Sequence, residues 1–308
     1  MRKYLRMSSR LSSPAKKADT DGTITARTLF RDAWALVSHS RALWWLGVVA
    51  GLGQGYGMNP QVTYQLDQGK VRALETTISR SSPALTLIML IAVLLLIAVW
   101  VVSMMAEAGL MRSVREKQEE KSTSFRSGLA LGRPALWPLI KLNIVVAVFS
   151  FFLVLLVGIP AVVVLATNSL GMVAGAVGVL LILVYGVLLA LLYPWMTRFV
   201  VLGRQSPIPA IRSAWQLLKT NTGLLIRLGL GGLLIQLVGV LAIGLATIVI
   251  LIPLLVLGII AFRSDPVLVL WPILVGVVAV AIFLAGILTA LKNAYYTLAY
   301  QKLSASGP

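Results

Sequence analysis

The chain has 308 residues, 58% of them hydrophobic and only 12% charged, and a mean hydropathy of +0.92, far from the composition of a soluble domain. It carries 27 Lys+Arg against 10 Asp+Glu, no cysteine and a single histidine, His39. That excludes disulfides, thiolate metal sites, iron–sulfur clusters, cysteine nucleophiles and bis-histidine haem, and it reads as a polytopic membrane protein.

In chain order, residues 1–25 form a Ser-, Lys- and Arg-rich arm without an apolar run. The arm is neither a signal peptide nor a span, and is expected to be disordered and drawn to anionic lipid by at most about 1 kcal/mol per basic residue near the surface. A helix crossing the hydrocarbon layer needs about 20 mostly apolar residues. Six windows qualify. The first, Leu43 to Met58, is short and glycine-rich, so a re-entrant or interfacial segment is an open alternative. The second is Ala84 to Met111. The third, about Trp137 to Ala166, and the fourth, about Gly171 to Leu202, are separated by four residues and must form an antiparallel hairpin. The fifth lies within Gly223 to Phe262 and the sixth within Val267 to Leu303. These last two exceed what a bilayer needs, so each starts or ends among headgroups, tilts, or breaks, with Pro253 the expected kink.

Charge sets the orientation. With the amino terminus inside, all but four of the 27 Lys and Arg fall on the cytoplasmic side, leaving Lys70, Arg72, Arg80 and Arg263 outside. The positive-inside rule then places both termini in the cytoplasm. A basic face accounts for the net charge without nucleic acid. Trp44, Trp45, Trp137, Tyr193, Trp195, Tyr295, Tyr296 and Tyr300 fall near the same boundary, as an aromatic belt would.

A repeat of about ninety residues underlies the spans. Phe30-Arg31-Asp32-Ala33-Trp34-Ala35-Leu36, Phe125-Arg126-Ser127-Gly128-Leu129-Ala130-Leu131 and Ile211-Arg212-Ser213-Ala214-Trp215-Gln216-Leu217 precede the first, third and fifth spans. The first and third copies are amphipathic: Phe30, Ala33, Trp34 and Val37, like Ile211, Ala214, Trp215 and Leu218, share a face. Each is expected to lie flat in the cytoplasmic interface with that stripe toward lipid. Ser206 and Pro207 supply a start for the third, while Gly128 and Gly132 dilute the stripe of the middle one. The expected fold is therefore an all-α integral membrane protein. Its six transmembrane helices form three repeats of interfacial helix plus helix pair (about 26–111, 122–202 and 206–303), with a tail at 304–308.

Gly47, Gly51 and Gly55 recur every fourth residue, and Gly171 and Gly175 open the fourth span. Such spacing lets helix backbones approach closely; a permeation-lining role, with Gln54 as its hint, is the competing reading. Gly229, Gly231 and Gly232 read as a bend at the start of the fifth span.

No carboxylate lies at mid-bilayer depth, Glu107 being placed one turn from the inner end of the second span, which disfavours proton or sodium coupling. There is no phosphate loop, no His-Glu-x-x-His and no nucleophile elbow. No catalytic residue, metal or cofactor is expected. His39 reads as an exposed polar-face residue, a headgroup contact being the alternative. Arg31, Arg126 and Arg212, at one place in every repeat, are candidates for lipid phosphate or an acidic partner, against ordinary snorkelling. Lys141, Asn143, Arg198 and Arg227 form a polar set just inside the inner boundary, with Glu107 expected to pair with Lys141 or Arg198 and a headgroup phosphate to serve the rest.

The stretch Tyr193-Pro194-Trp195-Met196-Thr197-Arg198-Phe199-Val200-Val201-Leu202, followed by Ala210-Ile211-Arg212-Ser213-Ala214-Trp215-Gln216-Leu217-Leu218-Lys219-Thr220-Asn221, resembles the prokaryotic six-span proteins related to the membrane domain attached to some glycerophosphodiester phosphodiesterases. The likeness covers the pattern from Ala26 to Leu303 and is specific in the third repeat. No phosphodiesterase domain is present, so the resemblance implies an architecture and no activity. The expected function is that of a non-catalytic accessory or scaffold subunit of a prokaryotic inner membrane. It would bind anionic lipid headgroups, a membrane-protein partner or a second copy of itself. A transporter or channel for a small or lipid-like solute is the alternative.

Overall fold

The computed structural model describes residues 25–53, 83–119, 121, 123–165, 169–261 and 266–305. Every secondary-structure element among them is helical. In chain order these are α1 (Ala26–Ser38), α2 (Arg41–Gly53), α3 (Pro83–Gln118), α4 (Phe125–Leu153), a π-helical turn (Val154–Gly158) and α5 (Ile159–Leu165). They continue with α6 (Ser169–Val201), α7 (Pro207–Thr220), α8 (Thr222–Ala261) and α9 (Pro266–Ala305).

Five stretches are long and apolar enough to cross a membrane: Leu85–Gln118, Phe125–Ala161, Gly171–Val201, Thr222–Leu254 and Val275–Ala305. This is a multi-pass membrane protein. The expected first span is represented by α2, whose 13 residues reach about 20 Å at 1.5 Å per residue, short of the hydrocarbon thickness of about 30 Å. Its remainder, including Gln54, Gly55 and Met58, lies outside the described residues, as do the basic arm and Arg263.

The hairpin of the third and fourth spans has a clear register. Asn143 meets Tyr193, Ser150 meets Tyr185 and Ala161 meets Gly178, so α4–α5 and α6 run antiparallel. Pro253, the expected kink of the fifth span, lies inside α8, which runs from Thr222 to Ala261 as one helix.

The basic halves of α3, α6 and α9 touch one another, and α2, α4 and α8 pack around them. The core gathers there, with Leu110, Met111, Trp195, Leu291 and Tyr295 essentially inaccessible. Small residues make the approach possible. Gly47 lies against the Gly286 carbonyl and Ala290 Cβ, and Gly286 in turn against Val48. On the opposite flank Gly109 meets the Gly128 carbonyl, while Gly132 meets the Met105 carbonyl. A Cβ at any of these positions would collide with a neighbouring helix, so α2–α9 and α3–α4 are glycine-mediated crossings.

The three motif copies do not form three equivalent helices. The first is α1 and the third α7, but the middle copy is the beginning of α4, which continues unbroken toward the span. Its start is fixed by a capping box in which the Ser127 amide donates to Ser124 Oγ at 3.2 Å and the Ser124 amide to Ser127 Oγ at 2.8 Å. Pro134 and Pro138 inside α4 each remove a ladder hydrogen bond. Ser206 occupies the N-cap of α7, but its side chain makes no capping hydrogen bond.

The stripe expected to face lipid is divided between protein and periphery. Leu29, Ala33 and Val37 are buried in α1, Gly128 and Gly132 in α4, and Ala210, Ala214 and Leu218 in α7. Phe30, Trp34 and Trp215 stay substantially exposed. The face carrying small residues packs on protein, and the aromatic edge is left at the periphery. Thus Gly128 and Gly132 do not dilute the docking face; they form it. Gly229, Gly231 and Gly232 mark no bend either. They lie inside α8, where Gly231 and Gly232 clear space for the Tyr295 and Tyr296 hydroxyls.

Candidate functional site

Where α3, α6 and α9 converge, a cavity of about 340 Å³ opens among polar side chains. From α3 come Ser103 and Glu107, from α4 Asn143, from α6 Tyr193, Thr197 and Arg198, and from α9 Lys292, Asn293 and Tyr296. Arg198 is the centre of the set. It is 2% exposed; Nη1 donates to the Pro194 carbonyl at 2.6 Å and to Thr197 Oγ1 at 3.1 Å. Nη2 donates to Asn293 Oδ1 at 2.9 Å and to the Asn293 carbonyl at 3.3 Å. The guanidinium also lies over the Tyr296 ring, 5.2 Å from its centroid. Its Nε has no hydrogen-bond partner among the described residues.

Local sequence explains these contacts. Pro194 leaves α6 continuous, and the Pro194 carbonyl, one turn before Arg198, is available to the Arg198 side chain. Thr197 also donates to that carbonyl, at 2.9 Å. On the other wall Tyr193 Oη donates to Asn143 Oδ1 at 2.9 Å, and Asn143 Nδ2 donates to the Leu139 carbonyl at 3.0 Å. Lys292 Nζ donates to Gln236 Oε1 of α8 at 2.9 Å. The cavity therefore holds two cations and one acid, Glu107, which is 6% exposed and whose charge acts on Arg198.

Glu107 lies one turn before Met111, where the expected second span ends, but the helix does not stop there. α3 continues to Gln118, about 16 Å farther along the axis at 1.5 Å per residue, so the carboxylate sits well within the bundle. Of its two expected partners, Arg198 shares the cavity. Lys141 lies elsewhere, exposed and 5.5 Å from the centroid of Trp137. Arg227 is exposed on α8. Arg31, Arg126 and Arg212 are likewise exposed, on segments that dock onto three different helices, α9, α3 and α6. In each copy it is the next residue that is anchored: Asp32 to Lys302, Ser127 to Ser124, Ser213 to Gln205.

Gly47 and Gly51 pack on α9, the latter toward Thr289, and Gly171 and Gly175 are buried in α6; Gly55 is outside the described residues. His39 is exposed at the end of α1, Nδ1 being 3.0 Å from the Ala35 carbonyl. The expected aromatic belt divides: Trp45 and Trp137 are exposed, whereas Trp195, Tyr295 and Tyr296 are core, packed edge to face. Both locations suit a ring with a polar tip.

Sequence reasoning passed over Gln236 and Asn293, and counted Lys292 only as a boundary charge. Gln236 alone, and Lys292 with Asn293 as a pair, interrupt long apolar runs, and that interruption is the available signal. It also missed Arg112, which donates to the Leu131 carbonyl at 2.7 Å and to the Val201 carbonyl at 3.2 Å. Val201 ends α6, so Arg112 satisfies a helix-terminal acceptor. Beyond the spans, Lys121 Nζ hydrogen-bonds Glu119 Oε2 at 2.7 Å, and this bond holds the Glu119 carboxyl below the usual range and raises Lys121.

Comparison of the chain with protein-family models, curated proteins and solved structures finds no match.

Proposed function

We propose that this protein binds a small anionic solute in the cavity between α3, α6 and α9, as a membrane transporter or channel. One observation carries the reading. Arg198, almost wholly inaccessible and with an unpartnered Nε, lines a polar cavity alongside a second cation and a single acid. Ionisable groups inside a membrane bundle are costly and mark solute pathways by default. A cavity of about 340 Å³ falls at the small end of ligand sites, about 300–1,000 Å³. An anion would balance the excess positive charge and supply the missing acceptor.

The wider frame belongs to the same proposal. The chain resides in a prokaryotic inner membrane with both termini cytoplasmic, α2 belongs to the first of six spans, and the unit is a threefold repeat. The repeat reading is supported by the common buried register of the three motif segments and by their docking on α9, α3 and α6 in turn. The resemblance to the phosphodiesterase-associated membrane domain stays an architectural proposal. An accessory role beside a partner membrane protein is the second reading, favoured by the exposed Trp34 and Trp215 on the edges of α1 and α7.

The test is flux of chloride, acetate and inorganic phosphate into vesicles reconstituted with the purified protein. At least one anion should enter faster than in protein-free vesicles, and Lys292→Met should abolish the difference while leaving the folded fraction intact. Failure of all three anions to enter, or an undiminished rate in Lys292→Met, would overturn the transport reading.

A further inference from the structure

A second opening differs from the cavity in every respect. It is a groove of about 650 Å³ between α1, α8 and α9, walled almost entirely by apolar atoms. Along α8 its floor follows one face from Gly231 through Gly239 and Ala242 to Ala246. Fifteen helical steps of 1.5 Å make about 22 Å, enough to traverse one leaflet of a hydrocarbon layer about 30 Å thick. Small side chains hollow this face, while Leu237 and Leu241 beside it are exposed as lipid-facing residues are.

The groove has a polar end. Ala26 of α1 lies 3.3 Å from where a Gly231 Cβ would sit, so the start of α1 covers the end of the groove nearest the basic face. There Arg27 joins the lining, and Phe30 and Trp34, stacked with centroids 6.5 Å apart, form its lip. None of the described lining residues is acidic. Arg31, one turn after Arg27, is also exposed.

We infer that this groove is a site for an anionic phospholipid, one acyl chain lying along α8 from Gly231 to Ala246 and the phosphate held by Arg27. Charge selects the lipid, since an arginine at the mouth of an apolar slot without acids favours an anionic headgroup over a zwitterionic one. Length selects the chain, since the slot runs down a membrane-facing helix for the depth of a leaflet. The aromatic lip occupies the level at which amphipathic rings are stable. The site shares no charged group with the anion cavity and stands whether or not that cavity conducts.

The test uses Trp34 as a reporter. The full chain is reconstituted into vesicles of phosphatidylglycerol or phosphatidylcholine carrying brominated chains. Quenching of the Trp34 contribution, taken as the difference between wild type and Trp34→Phe, is measured in mixtures of the two lipids. Phosphatidylglycerol should be preferred by about fivefold, the equivalent of the roughly 1 kcal/mol contributed by one arginine near the surface. Arg27→Gln should bring the preference to about one, and Ala242→Phe, which fills the slot on a lipid-facing surface, should remove it with Arg27 intact. A wild-type preference near one would overturn the proposal, as would a preference that survives Ala242→Phe.

Discussion

The two halves of α3 sit in different worlds although they belong to one unbroken helix. From Leu85 to Val99 every residue is exposed in the isolated chain, Leu96 to 69%, whereas from Ala106 to Met111 every residue is buried. α8 shows the lipid-facing character along its whole apolar window, and α9 combines both, exposed near Val275 and buried from Leu288 to Ala299 apart from the half-buried Lys292. The exposed halves are solvated by lipid tails, which are as apolar as leucine, so they need length and hydropathy but no particular neighbours. The buried halves approach through Gly47, Gly109, Gly132 and Gly286 and enclose charges that need named partners. Specificity is thus concentrated at the basic end of the bundle, and the rest of each span mainly sets its depth.

Breaking the charged centre should have the largest effect. Arg198→Leu removes the cation that ties Pro194, Thr197 and Asn293 together and leaves Glu107 with one less positive neighbour. Removing one member of a buried charged set typically costs about 3–5 kcal/mol, so the midpoint of denaturation in mild detergent should fall steeply. A shift no larger than that of an exposed control would show that the cavity is wet and its charges screened.

The contrast within α3 can be measured directly. Leu110→Ala, at a fully buried site, should cost about 2–5 kcal/mol. Leu95→Ala, 61% exposed on the same helix, should stay within about 0.5 kcal/mol. Equal effects would mean that the outer half packs against protein, as a homo-oligomer would provide. Gly132→Ala probes the crossing itself. Its new methyl group meets the Met105 carbonyl, an overpacking worth about 1–3 kcal/mol, and Gly186→Ala, with open space around it, is the matched control.

The same division explains what could be read from the sequence. Apolar runs report lipid exposure directly, so Ala84–Met111 and Gly171–Leu202 anticipate α3 and α6 closely. Contacts between helices leave a weaker trace. Gly128 and Gly132 read as gaps in a lipid-facing stripe through Phe30, Ala33, Trp34 and Val37; the docking face keeps Ala33 and Val37 of that stripe and adds Leu29 in place of the two aromatic residues. Tyr295 and Tyr296 have the composition of a headgroup belt, and only the glycines of α8 reveal that their hydroxyls are accommodated inside the bundle. The cavity is assembled from residues more than ninety positions apart, such as Arg198 and Asn293, which no local periodicity links. Arg198 and Asn143 were recognisable as polar residues at membrane depth, but their partners were not.

The mildest test lies where α1 meets the end of α9. Asp32 and Lys302 pair at 3.3 Å with both side chains 43% exposed, and exposed pairs contribute about 0.2–1 kcal/mol. Asp32 occupies the motif position that holds Ser127 and Ser213 in the other two copies, and all three make a local polar contact. If that position serves to seat each motif segment, Asp32→Ser should retain part of the anchoring and Asp32→Leu none, with the loss largest at low ionic strength and fading in about 1 M salt, where the screening length is about 3 Å. A double-mutant cycle with Lys302→Met separates the pair from the helix propensity of the new residue. A coupling indistinguishable from zero would leave the docking of α1 to the apolar face of Leu29, Ala33 and Val37 and to the Trp44 Nε1 hydrogen bond on the Val37 carbonyl, 2.7 Å long. In that case the basic end is held by packing in its outer layer and by buried charge only at its centre.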